Sequence, residues 1–394
     1  MLNKQIKIPV TKPYFTEEES KSVLETLQTG WIVQGPKVRR FEEIFKEFVG
    51  AKYSIATTSC TTALHLSLIA SGIKQGDKII VPSFTFVATA NVVEYVGARP
   101  IFCDIDLHTY NISVDEVEKI LKRCKKIKAI IPVHLFGLSA DIDSIVKLAK
   151  EYNLTIIEDA ACGLGSYYKG KHVGTFGKCG CFSFHPRKVI TTGEGGMIVT
   201  NNEKVAKLCY SLRDHGTSRS DYQRHMEKGG STLPEYNAVG YNYRMTDIQA
   251  AIGIAQMYKA KNIIKERINK AKTYNKFLKG IAWLKLPYEP DNCIHSYQSY
   301  VCLIDKKEFN NNIKKANIFR NKLMIKLEKK GIATRQGTHA VHTLGYYKKK
   351  YNIEETSLPN SFEADRLSIT LPLYHQMTEE EQEYVVEQIK KCAE

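Results

Sequence analysis

Short runs of apolar and β-branched residues alternate with longer helical segments from about residue 50, and this alternation limits the folds open to the chain. The pattern predicts strands at 53–57, 78–82, 100–103, 129–133, 155–158, 180–184 and 197–200. It predicts helices at 61–70, through 91–95, and at 114–123, 142–152 and 204–213. Apolar strands that are separated by helices are typical of a mostly parallel sheet covered on both faces. The predicted fold class is therefore α/β.

A second, smaller domain is predicted after a long helical region at 246–278. Pro287, Pro290 and Asp291 interrupt the pattern beyond that helix. The remainder carries a strand at 300–304 and helices at 318–330 and from Glu379 onward, which indicates a small α+β domain. We therefore predict a large domain over 1–258 and a small C-terminal domain over 259–394.

Composition indicates a soluble globular protein that is not held in a membrane. The chain has 394 residues, of which 43% are hydrophobic and 25% charged. The most apolar region, 79–98, is interrupted by Pro82, Asn91 and Glu94, and no basic-then-apolar signal peptide opens the sequence. The ten cysteines are scattered, and the Cys179/Cys181 spacing suits neither zinc nor a redox motif. We expect reduced thiols, a cytoplasmic location and no metal site.

The formal net charge of +15 allows two interpretations. Many of the lysines lie on the helical stretch 259–279, where they could simply form a solvated face. The alternative is that the positive charge attracts an acidic ligand such as a phosphate or diphosphate. No nucleic-acid-binding module accompanies the charge, so nucleic-acid binding is not expected.

Two residues at predicted strand ends carry the strongest chemical signal. Lys188 lies between an apolar strand and the Gly-rich turn 193–196, and Asp159 follows the apolar strand at 155–158. A lysine amine can form a Schiff base with the aldehyde of pyridoxal phosphate (PLP), and a carboxylate can keep its pyridine nitrogen protonated. Read alone, Asp159 could instead cap the segment that follows it. The pair together predicts a PLP site.

Three further strand ends supply groups that suit the same site. Segment 58–63 opens a helix, whose N–H groups favour a phosphate, although a plain Ser/Thr cap would look the same. Phe86 could lay its ring against a planar cofactor or could belong to the core. Ser183 offers a hydroxyl to a phosphate. Ligands of parallel sheets gather at the carboxyl ends of the strands, so we expect these groups to lie together.

With these motifs in place, the chain closely resembles the DegT/DnrJ/EryC1/StrS sugar aminotransferases, which share the fold-type I architecture of aspartate aminotransferase. The similarity runs over almost the whole length. The segments that carry it are 29–36, 59–64, 82–86, 158–161, 182–188, 193–196 and 240–246. The resemblance implies a PLP-dependent enzyme with a large mixed sheet and a smaller C-terminal domain. It also implies that residues 1–35 contribute to the edge of the active site.

The resemblance assigns roles to individual residues. Lys188 would bind PLP and move a proton between the substrate carbon and C4′ of the cofactor. Asp159 would pair with the pyridinium nitrogen, and Phe86 would stack on the ring. Cys60 and Thr61 would donate backbone amides to the phosphate.

Three other positions complete the cofactor set that the resemblance implies. Ser183 would donate its hydroxyl to the phosphate. Asn242 would reach the phosphate of the cofactor in the neighbouring subunit, so a homodimer with shared active sites is implied. Relatives usually carry Gln or His near the 3′ hydroxyl of the cofactor, where this chain has Cys162. We expect that difference to be tolerated.

The resemblance also implies the reaction, in which PLP alternates with pyridoxamine phosphate. L-Glutamate would give its amino group to a nucleotide-linked keto sugar, at C4 of a 4-keto-6-deoxyhexose, for surface polysaccharide such as lipopolysaccharide. Segment 333–342 resembles the substrate loop of members that act at C4, such as perosamine synthases. Arg335 and His339 are the predicted substrate contacts, unless the loop is only a turn with a structural arginine.

Two alternatives remain open at this point. Within enzymes, the chain could aminate C3 or a keto sugar without a nucleotide. In another class, it could be a regulator or sensor that keeps the fold without turnover. The intact Lys188/Asp159 pair and the lack of a DNA-binding appendage oppose the second alternative.

Overall fold

The computed structural model describes residues 7–226 and 233–393. Its α-helices are α1 (Glu17–Thr29), α2 (Pro36–Val49), α3 (Cys60–Ala70), α4 (Ala88–Tyr95), α5 (Val114–Arg123), α6 (Ile142–Glu151), α7 (Glu203–Leu212), α8 (Asp221–Met226), α9 (Asp247–Leu278), α10 (Ile313–Lys329), α11 (Gly345–Tyr351), α12 (Pro359–Leu367) and α13 (Glu379–Ala393). Its strands are β1 (Tyr53–Thr57), β2 (Lys78–Pro82), β3 (Phe84–Thr85), β4 (Arg99–Cys103), β5 (Ile127–Ile130), β6 (Thr155–Asp159), β7 (Tyr167–Tyr168), β8 (Lys171–His172), β9 (Cys179–Ser183), β10 (Gly196–Thr200), β11 (Leu284–Lys285), β12 (Cys293–Ile294), β13 (Tyr300–Ile304), β14 (His339–Ala340) and β15 (Ser368–Leu371).

The central sheet is mixed and mostly parallel, as the alternation predicts. Its strand order is β1-β10-β9-β6-β5-β2-β4. The five strands from β9 to β4 run parallel, whereas β10 is antiparallel to both β9 and β1. The carboxyl ends of β2, β5, β6 and β9 therefore meet at one edge of the sheet.

Helices cover both faces of this sheet. In β2, Ile79 and Val81 join a core cluster that contains residues of α3 and α4. Ile80 points the other way, into a cluster that contains residues of α5 and α6. Successive strand residues face opposite sides, so an all-apolar strand is the expected result of burial on both.

A smaller antiparallel sheet, β11-β13-β15, packs with α10, α12 and α13 around a separate core. Helix α9 belongs to both cores. Its first half contributes Ala250 and Met257 to the core of the large sheet, and its second half contributes Tyr274 and Leu278 to the smaller core. Because α9 passes through position 258 without a break, the division at 258/259 stays a prediction.

Local sequence explains where α9 begins. Thr246 accepts a hydrogen bond from the Gln249 backbone N–H at 3.2 Å, and the Gln249 side chain accepts one from the Thr246 N–H at 3.0 Å. This reciprocal capping box satisfies N–H groups that the first turn cannot. In the described part of the chain, no helix is both long and apolar enough to span a bilayer.

Candidate active site

Lys188 and Asp159 lie side by side at the carboxyl edge of the large sheet. Asp159 is the last residue of β6 and pairs with Cys181 of the parallel neighbour β9. Lys188 follows β9 in the next turn, and its half-buried side chain is close enough for its charge to lower the pKa of Asp159. The structure therefore brings the two predicted catalytic residues together.

Asp159 is a buried carboxylate that retains capacity for another partner. Its Oδ2 accepts a hydrogen bond from the Thr89 hydroxyl at 2.8 Å, and its Oδ1 accepts one from the Ala161 N–H at 3.1 Å. Burial raises its pKa, while these two bonds and the charge of Lys188 oppose the rise. A carboxylate can accept about four hydrogen bonds, so a cationic N–H would fit here.

A buried histidine–glutamate pair fixes the strand end that carries Asp159. His134 Nε2 lies 3.0 Å from Glu158 Oε2, and both side chains are fully buried. The Ala140 N–H donates to His134 Nδ1 at 3.2 Å, so Nδ1 is the acceptor and Nε2 carries the proton. Glu158 also accepts three backbone N–H bonds from the 174–177 turn. This network fixes the backbone of the residue that directly precedes Asp159.

The N-terminus of α3 lies near Asp159 and Lys188, whose charges both act on the pKa of the Cys60 thiol. Ser59 caps the helix, and the N–H groups of Cys60 and Thr61 belong to the first turn, which has no intrahelical partners for them. Burial raises the pKa of the Cys60 thiol well above its ordinary value, and the charge of Asp159 adds to the rise. The helix start and the carboxylate are thus neighbours, and a phosphate would be favoured at the helix start.

Gly196 allows this helix start to approach the sheet. A Cβ at this position would lie 2.3 Å from the carbonyl carbon and oxygen of Ser59 and 2.6 Å from the Cys60 nitrogen. Gly196 pairs across the sheet with Ser183, so the serine lies beside the same helix start. The Ser183 hydroxyl, which accepts a long hydrogen bond of 3.4 Å from the His185 N–H, is half-buried.

Phe86 follows β3 and is 59% exposed, so it does not belong to the core. Strand β3 pairs with β14, which sets His339 opposite Thr85, directly beside Phe86. The Thr85 and Thr89 hydroxyls lie 3.0 Å apart, and Thr89 in turn donates to Asp159. The predicted ring-stacking residue and the predicted substrate loop are therefore connected to the Asp159 site.

Cys162 and Arg335 lie on the Lys188 side of the site. Lys188 Nζ donates to Cys162 Sγ at 3.2 Å. Burial lowers the pKa of the Arg335 guanidinium, Arg187 lowers it further, and Cys162 raises it. Arg335 is thus close to the thiol that Lys188 contacts.

Asn242 is the one predicted cofactor residue that lies apart from this group. It is exposed, and it forms a bridge with Asp214. Its neighbour Tyr243 accepts a hydrogen bond from the Thr58 N–H at 3.1 Å, next to the start of α3. Among the described residues, no hydrogen bond links Asn242 to Lys188 or Asp159. Its role toward a neighbouring subunit stays a prediction.

The N-terminal segment also reaches the site. Lys12, Pro13 and Tyr14 line a small cleft together with Lys188. Gln256 holds this segment by donating to the Tyr14 carbonyl at 2.7 Å. The contribution of residues 1–35 to the edge of the active site stays a prediction.

The contributions of three residues around Asp159 were not predicted from the sequence: Thr89, His134 and Glu158. The sequence does indicate a role for Glu158, because a charged residue inside an apolar strand requires a buried partner. It gives no such indication for Thr89, since its hydrogen bond to Asp159 joins residues that are far apart in sequence.

The chemistry of these groups fits PLP. These segments supply a lysine amine, a buried carboxylate that can accept from a further N–H donor, a helix start and an exposed aromatic ring. All ten cysteines are unpaired thiols. In the ranges 7–226 and 233–393, no three His, Cys, Asp or Glu side chains are grouped to hold a metal ion.

Residues 13–390 match the model of the DegT/DnrJ/EryC1/StrS aminotransferase family. Among curated proteins, the chain is 35% identical over 384 residues to the Bacillus subtilis spore coat polysaccharide biosynthesis protein SpsC, covering 97% of this chain and 96% of SpsC.

Solved structures agree with that match. The PMP form of a Streptococcus pneumoniae putative sugar aminotransferase, Spr1654, superposes with a TM-score of 0.89 at 28% identity, covering 98% of this chain and 99% of that one. Helicobacter pylori PseC, an aminotransferase involved in pseudoaminic acid biosynthesis, superposes with a TM-score of 0.87 at 29% identity, covering 98% of both chains.

Proposed function

Because the chain belongs to the DegT/DnrJ/EryC1/StrS aminotransferase family, we propose that it moves the amino group of L-glutamate to C4 of a nucleotide-linked 4-keto-6-deoxyhexose. Family and structural relatives establish a PLP-dependent sugar aminotransferase. The donor, the nucleotide and the C4 position are the proposed part. A non-catalytic regulator is no longer retained, since the relatives are aminotransferases.

One observation carries the proposal: Asp159 ends β6, Lys188 follows the neighbouring parallel strand β9, and both lie close enough to Cys60, at the start of α3, for their charges to act on the pKa of its thiol. When bound, PLP supplies an electron sink that stabilises negative charge on the substrate carbon. Lys188 holds the cofactor and then carries the proton that the substrate carbon loses or gains.

The other residues have supporting roles. Asp159 keeps a ring nitrogen protonated, and its two hydrogen-bond donors fix the orientation of the carboxylate. The Cys60 and Thr61 amides and the Ser183 hydroxyl would hold the phosphate. The exposed Phe86 ring would pack against the planar cofactor.

The proposal extends to a homodimer. Asn242 is exposed, and in such a dimer its side-chain amide would donate to the cofactor phosphate of the neighbouring subunit. Its exposed side chain, for which no hydrogen bond to Lys188 or Asp159 of the same chain occurs among the described residues, is compatible with this role. Each active site then requires two chains.

The relatives support a substrate used in surface polysaccharide or glycan synthesis. SpsC is named for spore coat polysaccharide biosynthesis, and PseC for pseudoaminic acid. The formal charge of +15 suits a diphosphate-bearing ligand. The ten unpaired thiols suit a reducing cytoplasm. His339, exposed beside Phe86, is a proposed contact for the sugar.

A substrate panel tests the proposal. Purified protein loaded with PLP is incubated with L-glutamate and UDP-, GDP- or dTDP-linked 3-keto and 4-keto sugars, and products are identified by mass spectrometry and NMR. We expect an amino group at C4 of one nucleotide-linked 4-keto-6-deoxyhexose, and no product with Lys188→Ala. Amination at C3, or of a free keto sugar only, would replace the proposed substrate with the corresponding alternative.

A further inference from the structure

A small cleft beside Lys188 carries two arginines and no acidic residue. It lies between the N-terminal segment, the turn that precedes Lys188 and strand β15, and its lining includes Arg187, Gln298, Arg335 and Thr370. Neither guanidinium forms an ion pair with a carboxylate anywhere in the described part of the chain. Two uncompensated positive charges in one cleft favour an anionic ligand.

Arg335 is partly buried and not fully satisfied. Its backbone forms a bridge with Thr370, donating at 3.4 Å and accepting at 2.7 Å, so the side chain starts from a fixed position. Arg335 Nε and Thr370 Oγ1 are both buried and have no hydrogen-bond partner among the described residues. Burial and the charge of Arg187 both lower the pKa of the guanidinium. Leaving buried polar groups without partners is costly, so a ligand that accepts from them would be stabilised.

The other arginine, Arg187, is exposed, and a chain of hydrogen bonds holds its backbone in place. Gln298 Nε2 donates to the Arg187 carbonyl at 2.6 Å. The Gln298 carbonyl in turn accepts from Arg267 of α9 at 2.7 Å. Arg267 is itself buried, and burial lowers its pKa to about 10. The buried Arg267 guanidinium donates to backbone carbonyls and thereby fixes the position of this segment.

The position of the cleft selects the kind of anion. Arg335 lines one cleft with Arg187, which directly precedes Lys188 in the chain, and Lys188 Nζ lies 3.2 Å from Cys162 Sγ. In an α-amino acid, one carbon separates the amine from the carboxylate. In a nucleotide-linked sugar that reacts at C4, the hexose ring separates the reacting carbon from the diphosphate. An anion held next to Lys188 therefore fits the amino acid better.

We propose that Arg335, supported by Arg187, binds the α-carboxylate of the amino donor. This inference rests on the proposed function, in which an amino acid is that donor. Arg335 thereby serves the donor half of the reaction, and it leaves the sugar contacts to the side of the cavity where His339 lies beside Phe86. A guanidinium can bind a carboxylate through two parallel hydrogen bonds, which fixes the donor amine toward Lys188.

The test uses PLP-loaded protein and glutarate, a dicarboxylate without an amine, followed by isothermal titration calorimetry. Arg335→Gln is expected to weaken glutarate binding roughly ten- to hundredfold, the effect of losing hydrogen bonds to a charged group. The glutamate half-reaction should show the same increase in dissociation constant. Arg335→Lys, which keeps the charge but loses the fork, should restore part of the affinity. Arg123→Gln, at an exposed arginine on α5, is the matched control and should change nothing.

Binding of UDP, GDP and dTDP to the same variants identifies the anion. We expect all three affinities to be unchanged in Arg335→Gln. A loss of nucleoside diphosphate affinity with glutarate affinity intact would overturn the inference, and so would unchanged glutarate affinity in a wild-type-like fold. If Arg335→Gln does not fold, Arg187→Gln and Arg335→Lys make the same comparison.

The two proposals fail in different ways. Wild-type protein that neither reacts with glutamate nor binds glutarate would overturn both the donor and its subsite. Wild-type protein that reacts with glutamate while Arg335→Gln binds glutarate equally well would overturn the subsite alone.

Discussion

Replacing Thr89 with valine removes one of the two hydrogen bonds that Asp159 receives, without changing the shape of the side chain. The Thr89 hydroxyl donates to Asp159 Oδ2 at 2.8 Å, and both residues are buried. A hydrogen bond to a charged group is worth about 1.5–3 kcal/mol. Because this bond favours the charged carboxylate, its loss should raise the pKa of Asp159 further.

The same loss predicts a pH-dependent change in stability of the cofactor-free protein. Burial already raises the folded-state pKa of Asp159. The contribution of this carboxyl to the free energy of unfolding is therefore greatest at low pH, and it is lost as pH rises through that pKa. Thr89→Val should therefore be more destabilising at neutral than at acidic pH. With about 2.1 cal/mol/K per residue over 394 residues, 1.5–3 kcal/mol lowers the melting temperature by about 2–4 °C at neutral pH.

Thermal melts of wild type, Thr89→Val and Thr89→Ser from acidic to neutral pH check the prediction. Thr89→Ser keeps the hydroxyl and should follow wild type more closely than valine does. A Thr89→Val difference that is equally large at acidic pH would show that packing, rather than the carboxylate, is responsible. No difference at neutral pH would refute the proposed contribution of this hydrogen bond.

Three other substitutions have defined outcomes. Lys188→Ala should abolish turnover while keeping the fold, as checked by product assay and circular dichroism; wild-type rates would remove Lys188 from its role. Asp159→Asn should fold and slow the glutamate half-reaction by orders of magnitude in stopped-flow spectra, and unchanged kinetics would count against pairing with the ring nitrogen. Gly196→Ala should cost about 1–3 kcal/mol through overpacking against Ser59 and speed cofactor loss during dialysis. Gly345→Ala, where a Cβ meets no atom within 4 Å, is the control; equal retention in both variants would contradict the close-approach argument.

Much of the large domain follows from the sequence because its strands are buried on both faces. The predicted bounds of α5 and β2 match the structure, since apolar periodicity and caps define them locally. Strand direction is different: periodicity gives no sign that β10 runs antiparallel to β9. The two-residue strands β3 and β14 are too short for any pattern, although their pairing brings His339 beside Phe86.

The sequence likewise predicts some residues of the candidate site and not others. Lys188 and Asp159 can be predicted because lysine and aspartate at apolar strand ends are chemically unusual. The contacts of Thr89 and Arg335 depend on packing between distant segments. Arg335 was predicted to contact substrate, but only the structure shows its bridge to Thr370 and the cleft that it shares with Arg187, for which we propose an anionic ligand.

Borohydride reduction of the PLP-loaded protein, followed by peptide mass spectrometry, tests the central assignment most directly. Reduction makes the bond between a lysine amine and PLP permanent. We predict a phosphopyridoxyl group on the peptide that contains Lys188, and none on the corresponding peptide of Lys188→Ala. Stoichiometric labelling of another lysine, with Lys188 unmodified, would contradict it.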